Sequence, residues 1–380
     1  MQIELPISKS IANRWLMLQA IHGDELMPVS DSMPDDVQIL HNALTTLRTF
    51  KTSKTLSTPH IDVGNCGTAM RFLTAYCAQL EGQTTILDGV KRMHHRPIGQ
   101  LVDALREIGA DIEYLGEEGF PPLRIKGCIL DKHRMVTINN PLSTQYISAL
   151  LLIGANVITN STSPYINLTH SLIENYLQSS DLQGIDARST AQRSTASVAN
   201  ELERDWSSAA FWYEYVALHG GEITLPGLSR DSLQGDKVVA DIFAHLGVQT
   251  EYTAEGITIV PTGVADLQRS DLQGIDARST AQRSAEEILH QDFSACPDLY
   301  PAVALTCERL GVELHATGVE SLPLKESDRL RAVREHRTDA DHRMAMALLI
   351  AGYEVDDTAC ISKSYPQFIE QWKSVNTSNE

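Results

Sequence analysis

Helical and strand-like runs alternate along this chain, joined by short loops. Ser10 to Ala20 places Ile11, Trp15, Leu16 and Leu18 at helical spacing. Asp35 and Asp36, ahead of Val37 to Leu47, read as an N-terminal cap and a helix. Helices are also expected at Thr68–Ala78 and Ile98–Leu105, with strands at Thr84–Leu87, Asp111–Tyr114 and Leu123–Ile125. The later chain repeats the pattern. Helices are expected at Ser207–Leu218 and Lys237–Leu246, and strands at Glu222–Leu225 and Ile257–Val260. This alternation predicts an α/β chain of many small units. At roughly 150 residues per domain, 380 residues suggest two or three domains.

Composition narrows the function classes. Apolar residues make up 42% of the chain, enough to bury a sizeable core. The net charge is −18, the wrong sign for a nucleic-acid binder. The longest apolar stretch, Tyr146 to Ile158, is broken by Ser148, Gly154 and Asn156, and a membrane span needs about 20 apolar residues. The N-terminus lacks the apolar core of a signal peptide. The six cysteines show no C-x-x-C spacing, which reads as free thiols in a reducing cytoplasm. His94 and His95 are adjacent, so their side chains do not converge on a metal. A solvated or structural role is expected for them.

The 15-residue segment SDLQGIDARSTAQRS occurs twice without a difference, at 180–194 and 270–284. Fold-building repeats diverge and recur at a steady period, and their similarity extends into the flanks. This polar segment shows none of these and reads as a recent surface-loop insertion.

No dinucleotide fingerprint, P-loop or nucleophile elbow is present. What the chain does carry is a set of short polar segments rich in cations. Pro6-Ile7-Ser8-Lys9-Ser10 leads into a helix with Asn13 and Arg14. A small-residue turn at a helix start offers N–H groups, hydroxyls and an ammonium to an anion. Gly64-Asn65-Cys66-Gly67-Thr68-Ala69-Met70-Arg71 repeats that design, with Gly where a ligand approaches the backbone. Arg96-Pro97, Ser143-Thr144-Gln145, Lys325-Glu326-Ser327-Asp328-Arg329 and Asp341-His342-Arg343 complete the set. Taken singly, each also reads as a helix cap or a solvated surface charge. In an acidic chain, clustered cations imply anionic ligands.

In this order the segments closely resemble the 5-enolpyruvylshikimate-3-phosphate synthase family. The resemblance rests on LPISKSIANR (5–14), DSMPDDV (31–37), GNCGTAMRFLTA (64–75), RPIGQLVDALREIGADI (96–112) and STQYISALLL (143–152). It continues through SPYINLT (163–169), ERDWSSAAFW (203–212), LQGDKVVADIFAHLGV (233–248), CPDLYPAVAL (296–305), KESDRLRA (325–332), DHRMAMALL (341–349) and ISKSYPQFIEQW (361–372). Nearly the whole chain outside the two 15-mers is covered.

The resemblance implies transfer of the enolpyruvyl group of phosphoenolpyruvate to the 5-hydroxyl of shikimate 3-phosphate, with release of phosphate. It implies no metal or organic cofactor, a monomer in the cytoplasm, a place in the shikimate pathway and sensitivity to glyphosate. The implied fold is a two-domain inside-out barrel of repeated βαβαββ units, with the active site in the interdomain cleft. Residues 9–203 would form one domain, and 1–8 with 204–380 the other. By motif match, Lys9, Ser10, Arg14, Ser143, Thr144, Gln145, Thr162, Tyr165, Asp298, Ser321 and Lys325 would hold shikimate 3-phosphate. Lys9, Asn65, Gly67, Thr68, Arg96, Gln145, Arg329, Arg343 and Lys363 would hold phosphoenolpyruvate. Lys9, Asp298, Lys325, Glu326 and His342 would be the catalytic groups. Of these, Asp298 would take the hydroxyl proton, Lys325 and Glu326 would move protons, and His342 would support the charge.

Four departures stand out. Ile7 replaces the family's usual Gly, and Ser321 stands where Asn is common. Only residues 330–341 separate Arg329 from His342, too few to complete a βαβαββ unit. The first 15-mer also falls where a family strand is expected. Two rival readings remain at this stage. One is a non-catalytic paralogue that binds the same anions; the other is the sibling transferase acting on UDP-N-acetylglucosamine.

Overall fold

The computed structural model describes residues 1–52, 58–181, 202–262 and 288–377. Apart from Ser180 and Asp181, both 15-mers lie outside the described residues. The chain divides into two units, Lys9–Leu202 and Met1–Ser8 with Glu203–Glu380, called here the first and the second.

In the first unit, α1 (Lys9–His22) and α2 (Asp35–Thr52) precede a four-stranded sheet. Its elements run β1 (His60–Asp62), α3 (Gly67–Ala78), β2 (Thr84–Asp88), α4 (Gly99–Glu107), β3 (Asp111–Tyr114) and β4 (Leu123–Lys126). The strand order is β1-β2-β4-β3. β1 and β2 are parallel through the α3 crossover, with Ile61 level with Leu87. β4 runs antiparallel to both β2 and β3 and closes the sheet. Leu123 and Ile125 of β4 point inward while Arg124 and Lys126 face solvent, the period-two pattern of a sheet covered on one face. This is a full βαβαββ sequence of elements. A second group follows: β5 (Val136–Thr137), α5 (Gln145–Leu152), β6 (Val157–Ile158) parallel to β5, and α6 (Pro164–Asp181). α3 is buried along almost its whole length and packs on α5, so the loops at the N-terminal ends of both helices are fixed by core packing.

In the second unit, α7 (Trp206–His219), β7 (Ile223–Pro226), α8 (Val239–His245), β8 (Val248–Tyr252) and β9 (Gly256–Pro261) form the first group. The sheet order is β7-β9-β8, both pairs antiparallel. Gln2 bridges Thr224 in parallel, so the N-terminal segment lies beside β7 as β1 lies beside β2. Ile7, which stands where the family usually has Gly, is buried at a bridge to Arg204.

The next group starts in the same way and then stops. β10 (Ile288–Asp292), α9 (Tyr300–Leu310) and β11 (Glu313–Thr317) make a parallel pair, followed by α10 (Arg329–Glu335). The chain then enters α11 (His342–Ile350) with no strand between, and ends in α12 (Phe368–Thr377). The expectation from the spacing holds here: βαβα is present and the closing pair of strands is not. Three of the four left-handed non-glycine residues described in the chain fall in this connection: His336, Asp339 and Ala340. Each such residue costs roughly 1–3 kcal/mol, so the shortcut concentrates backbone strain.

No sheet among the described residues closes into a barrel. No described helix is long and apolar enough to cross a membrane. All six cysteines are free thiols.

Candidate active site

The cations of the first unit gather at helix starts. Lys9 opens α1, and its ammonium lies 2.9 Å from Asp36 Oδ2. Asp36 therefore does more than the capping role read from the sequence: it is buried and paired with the Lys9 charge. One turn on, Arg14 is buried. It donates to Thr169 Oγ1 at 2.8 Å, to Ser148 Oγ at 2.9 Å and to the Ser10 carbonyl at 2.9 Å. The Phe72 and Tyr165 rings flank it at 5.5 and 5.8 Å. Among the described residues its partners are all neutral, and burial lowers its pKa to about 10. Among the described residues no carboxylate is paired with this buried guanidinium, so its charge is offset by neutral acceptors alone.

A second cluster surrounds Gly67 at the start of α3. A Cβ there would lie 2.3 Å from Arg71 Nη1 and 2.6 Å from Arg96 Nη2. The missing side chain is thus what lets two guanidiniums meet over one helix N-terminus. Arg96 donates to the Asn65 carbonyl at 3.0 Å and to its side-chain oxygen at 3.3 Å. Arg71 donates to the Pro97 carbonyl at 3.3 Å and lies over the Tyr146 ring. Arg71 is buried, which overturns the surface reading that its motif allowed in isolation. Gln145 donates to Thr68 Oγ1 at 2.8 Å, tying the start of α5 to the start of α3. Ser143 Oγ accepts from the Gln145 N–H at 3.3 Å, and Thr144 precedes the helix as its cap. Thr162 is exposed just ahead of α6. His94, expected to be structural, pairs with Asp88 at 2.7 Å.

The second unit holds a cluster of the opposite design, with cations and carboxylates interleaved. Arg329, 1% exposed, sends Nη1 to Asp298 Oδ1 at 2.7 Å, Nη2 to Glu326 Oε2 at 3.1 Å and Nε to Asp341 Oδ2 at 2.8 Å. Burial works against this charge, but Asp341, Asp298 and Glu326 outweigh it and raise the pKa above the ordinary arginine value. Arg343 reaches Asp298 Oδ2 at 2.9 Å, Lys325 reaches Asp298 Oδ1 at 3.5 Å, and Lys363 reaches Glu326 Oε1 at 3.1 Å. Asp341 caps α11 through the Arg343 N–H at 3.0 Å and also accepts from Ser327 Oγ at 3.1 Å. His342 is buried beside it, its Nδ1 3.7 Å from Asp341 Oδ1. Ser321 is half-buried at the start of the turn before Lys325.

Asp236 is a further group that the motifs did not flag. It is 1% exposed and accepts from Ser207 Oγ. Burial first, then the Asp298 charge, push its pKa up to about 6, against the opposing pull of Arg343. Asp36, Asp341 and Asp236 were all missed as site groups. Each stands inside or beside a quoted motif, but an Asp before a helix reads as a cap until its partner is seen.

Within each unit the predicted residues largely come together. In the first, Lys9 and Arg14 lie at one helix start and Asn65, Gly67, Thr68, Arg96 and Gln145 at another, with Tyr165 on Arg14. In the second, Asp298, Lys325, Glu326, Arg329, Arg343 and Lys363 form one network. The named charges also differ. The first set has Lys9, Arg14, Arg71 and Arg96 against Asp36. The second has Lys325, Arg329, Arg343 and Lys363 against Asp298, Glu326 and Asp341.

Comparison with known proteins identifies the relatives of this arrangement. The EPSP synthase (3-phosphoshikimate 1-carboxyvinyltransferase) family profile matches residues 1–336 and 335–372. The two stretches meet at the end of α10, where the strands are missing. A curated 3-phosphoshikimate 1-carboxyvinyltransferase from Bacteroides fragilis is 36% identical over 413 aligned residues, covering 96% of this chain and 93% of the relative. That alignment is longer than the 380-residue chain, so the relative carries residues without a counterpart here. A namesake from Cellvibrio japonicus is 30% identical over 98% of this chain and 96% of its own. A solved EPSP synthase from Acinetobacter baumannii superposes with a TM-score of 0.61 at 18% identity, covering 98% of this chain and 95% of that one, and so shares the fold. With a profile match over nearly its whole length and relatives above the thirty-per-cent level, the chain belongs to the EPSP synthase family.

Proposed function

We propose that this chain transfers the enolpyruvyl group of phosphoenolpyruvate to the 5-hydroxyl of shikimate 3-phosphate and releases phosphate. The observation that carries the reading is the network around Arg329. It holds carboxylates able to take and return protons among cations able to bind a phosphate and a carboxylate. Asp298 accepts the 5-hydroxyl proton as that oxygen attacks the enol carbon. Glu326 delivers a proton to the methylene and recovers it as the tetrahedral intermediate collapses, and Lys325 assists proton transfer at the substrate hydroxyl. Arg329, Arg343 and Lys363 hold phosphoenolpyruvate with Arg96, Asn65, Thr68 and the Gly67 backbone, and offset the charge on the departing phosphate. Lys9, Ser10, Arg14, Ser143, Thr144, Gln145, Thr162, Tyr165 and Ser321 hold shikimate 3-phosphate, with Lys9 touching both substrates. His342 supports the charge that develops in the reaction. No cofactor is needed, because the phosphate is itself the leaving group. We assign each unit to one family domain of repeated βαβαββ elements. The elements from β1 to β4 form a complete copy, and those from β10 to α10 a shortened one.

Phosphate release from purified protein tests this, with each substrate supplied alone and then together. Release only with both substrates, competed by glyphosate against phosphoenolpyruvate, is expected. Release with UDP-N-acetylglucosamine in place of shikimate 3-phosphate would reassign the acceptor. The missing closing strands favour one other reading, a paralogue that binds shikimate 3-phosphate without turnover. Binding by calorimetry with no phosphate release would establish it.

A further inference from the structure

Three helices of the second unit present site residues at or near their N-terminal ends. Asp298 lies two residues ahead of α9, Arg329 opens α10, and His342 and Arg343 open α11. The three helices pack against one another. Their C-terminal ends meet in a separate cluster that the proposed reaction does not use. Glu308 lies in the last turn of α9, His336 is the C-cap of α10, and Tyr353 follows α11 by three residues. The His336 and Tyr353 rings stack at 4.0 Å with 20° between their planes. Glu308 Oε1 accepts from the Tyr353 hydroxyl at 2.6 Å and lies 2.8 Å from His336 Nε2.

This cluster sits at the break left by the missing strands. In the complete unit of this chain, β3 and β4 follow α4 and return the chain to the sheet. Here the chain leaves α10 through a left-handed His336 and reaches α11 within five further residues. That connection is strained, and a strained segment persists only where its surroundings hold it. Besides the stacked ring, buried Thr338 donates its hydroxyl to Asp356, in the segment that follows α11. Arg337 N–H also returns to the Ala332 carbonyl at 3.0 Å.

We infer that Tyr353, Glu308 and His336 form a clasp that replaces the absent strand pair, fixing α9, α10 and α11 at their far ends so that Asp298, Arg329, His342 and Arg343 stay in register. The three are positioning residues, since none lies in the Arg329 network. The register matters because a misplacement of about 1 Å in a site can cost about a hundredfold in rate.

The kinetic half of the test rests on the proposed reaction, and the exchange half does not. Parent, Tyr353→Ala, Tyr353→Phe, Glu308→Gln and Arg331→Ala are compared. Arg331, in an exposed pair with Glu335 on α10, serves as the control. Amide hydrogen exchange followed by mass spectrometry reads local opening. In Tyr353→Ala, exchange across 329–345 should quicken by about tenfold while 206–262 is unchanged. Tyr353→Phe keeps the stacked ring and should recover most of the protection. Glu308→Gln should show a smaller acceleration of about threefold, and it carries the test if Tyr353→Ala fails to fold. Arg331→Ala should match the parent. In turnover, the KM for phosphoenolpyruvate should rise about fivefold in Tyr353→Ala, with that for shikimate 3-phosphate within about twofold. A variant that merely lost folded protein would lower kcat and leave both KM values alone. Parental exchange across 329–345 in both Tyr353→Ala and Glu308→Gln would overturn the clasp, as would acceleration spread evenly through the second unit. A parent with no turnover would instead refute the proposed reaction, and exchange would still decide the clasp.

Discussion

The sheet of β1 to β4 and the pair β10–β11 begin alike and end differently. In both, two parallel strands are joined by a helix whose N-terminal side faces site residues. In the first, two antiparallel strands then complete the sheet, and Gly67, Arg71 and Arg96 rest on a four-stranded scaffold. In the second, Arg329, His342 and Arg343 sit on helices joined by a strained turn. The two places stabilise their arginines accordingly. Arg96 makes hydrogen bonds to the carbonyl and amide oxygens of Asn65, whereas Arg329 binds three carboxylates, one of which caps the next helix. Where the strand pair is absent, the arginine is held by ion pairs instead of backbone and amide oxygens.

The sharpest way to break that comparison is to remove one arginine from each place. Arg329→Met leaves Asp298, Glu326 and Asp341 without a shared cation and should cost roughly 3–5 kcal/mol of stability along with turnover. Arg96→Met should cost about 1–2 kcal/mol of stability while also suppressing turnover. Urea midpoints and phosphate release measure both, and equal stability losses would mean that the network does not substitute for the sheet.

The next effect probes the excess of cations over carboxylates in the candidate site set of the first unit. Lys9→Ala removes the partner of Asp36 and should lose roughly 2–4 kcal/mol of transition-state stabilisation. Turnover within about threefold of the parent would remove Lys9 from the site. Gly67→Ala should act at the same scale or below. Its methyl group strikes the ends of two buried guanidiniums, so overpacking of about 1–3 kcal/mol should appear as a raised KM for phosphoenolpyruvate. An unchanged KM would show that both arginines can move aside.

The last effect concerns Asp236. Its folded-state pKa of about 6 lies above the ordinary carboxyl value of about 4, so the native state holds a proton that the unfolded chain releases. This group therefore favours folding below about pH 4. The contribution fades as pH rises through that window and is gone above about pH 6. Asp236→Asn should raise the melting temperature at pH 7.5 and leave it nearly unchanged at pH 4. A gain confined to pH 4 would reverse the sign and refute the burial argument.

Much of this was legible in the sequence, for a definite reason. Apolar periodicity is local, so the helices at 9–22 and 67–78 and the strands at 111–114 and 123–126 fall within about two residues of expectation. The missing strand pair was legible too, because twelve residues cannot hold it. The partners were not. Asp36 with Lys9, Asp341 with Arg329 and Ser207 with Asp236 are joined across 12 to 29 positions, and nothing local distinguishes such a group from an ordinary helix cap or surface charge. Gly67 is the clearest case. The motif required a close approach to the backbone there, but that Arg71 and Arg96 make the approach follows from the packing of α3 against its neighbours. Elements follow from the periodicity of neighbouring residues, while ion pairs and ring stacks such as His336 on Tyr353 depend on which helix ends the packed core brings within about 4 Å of each other.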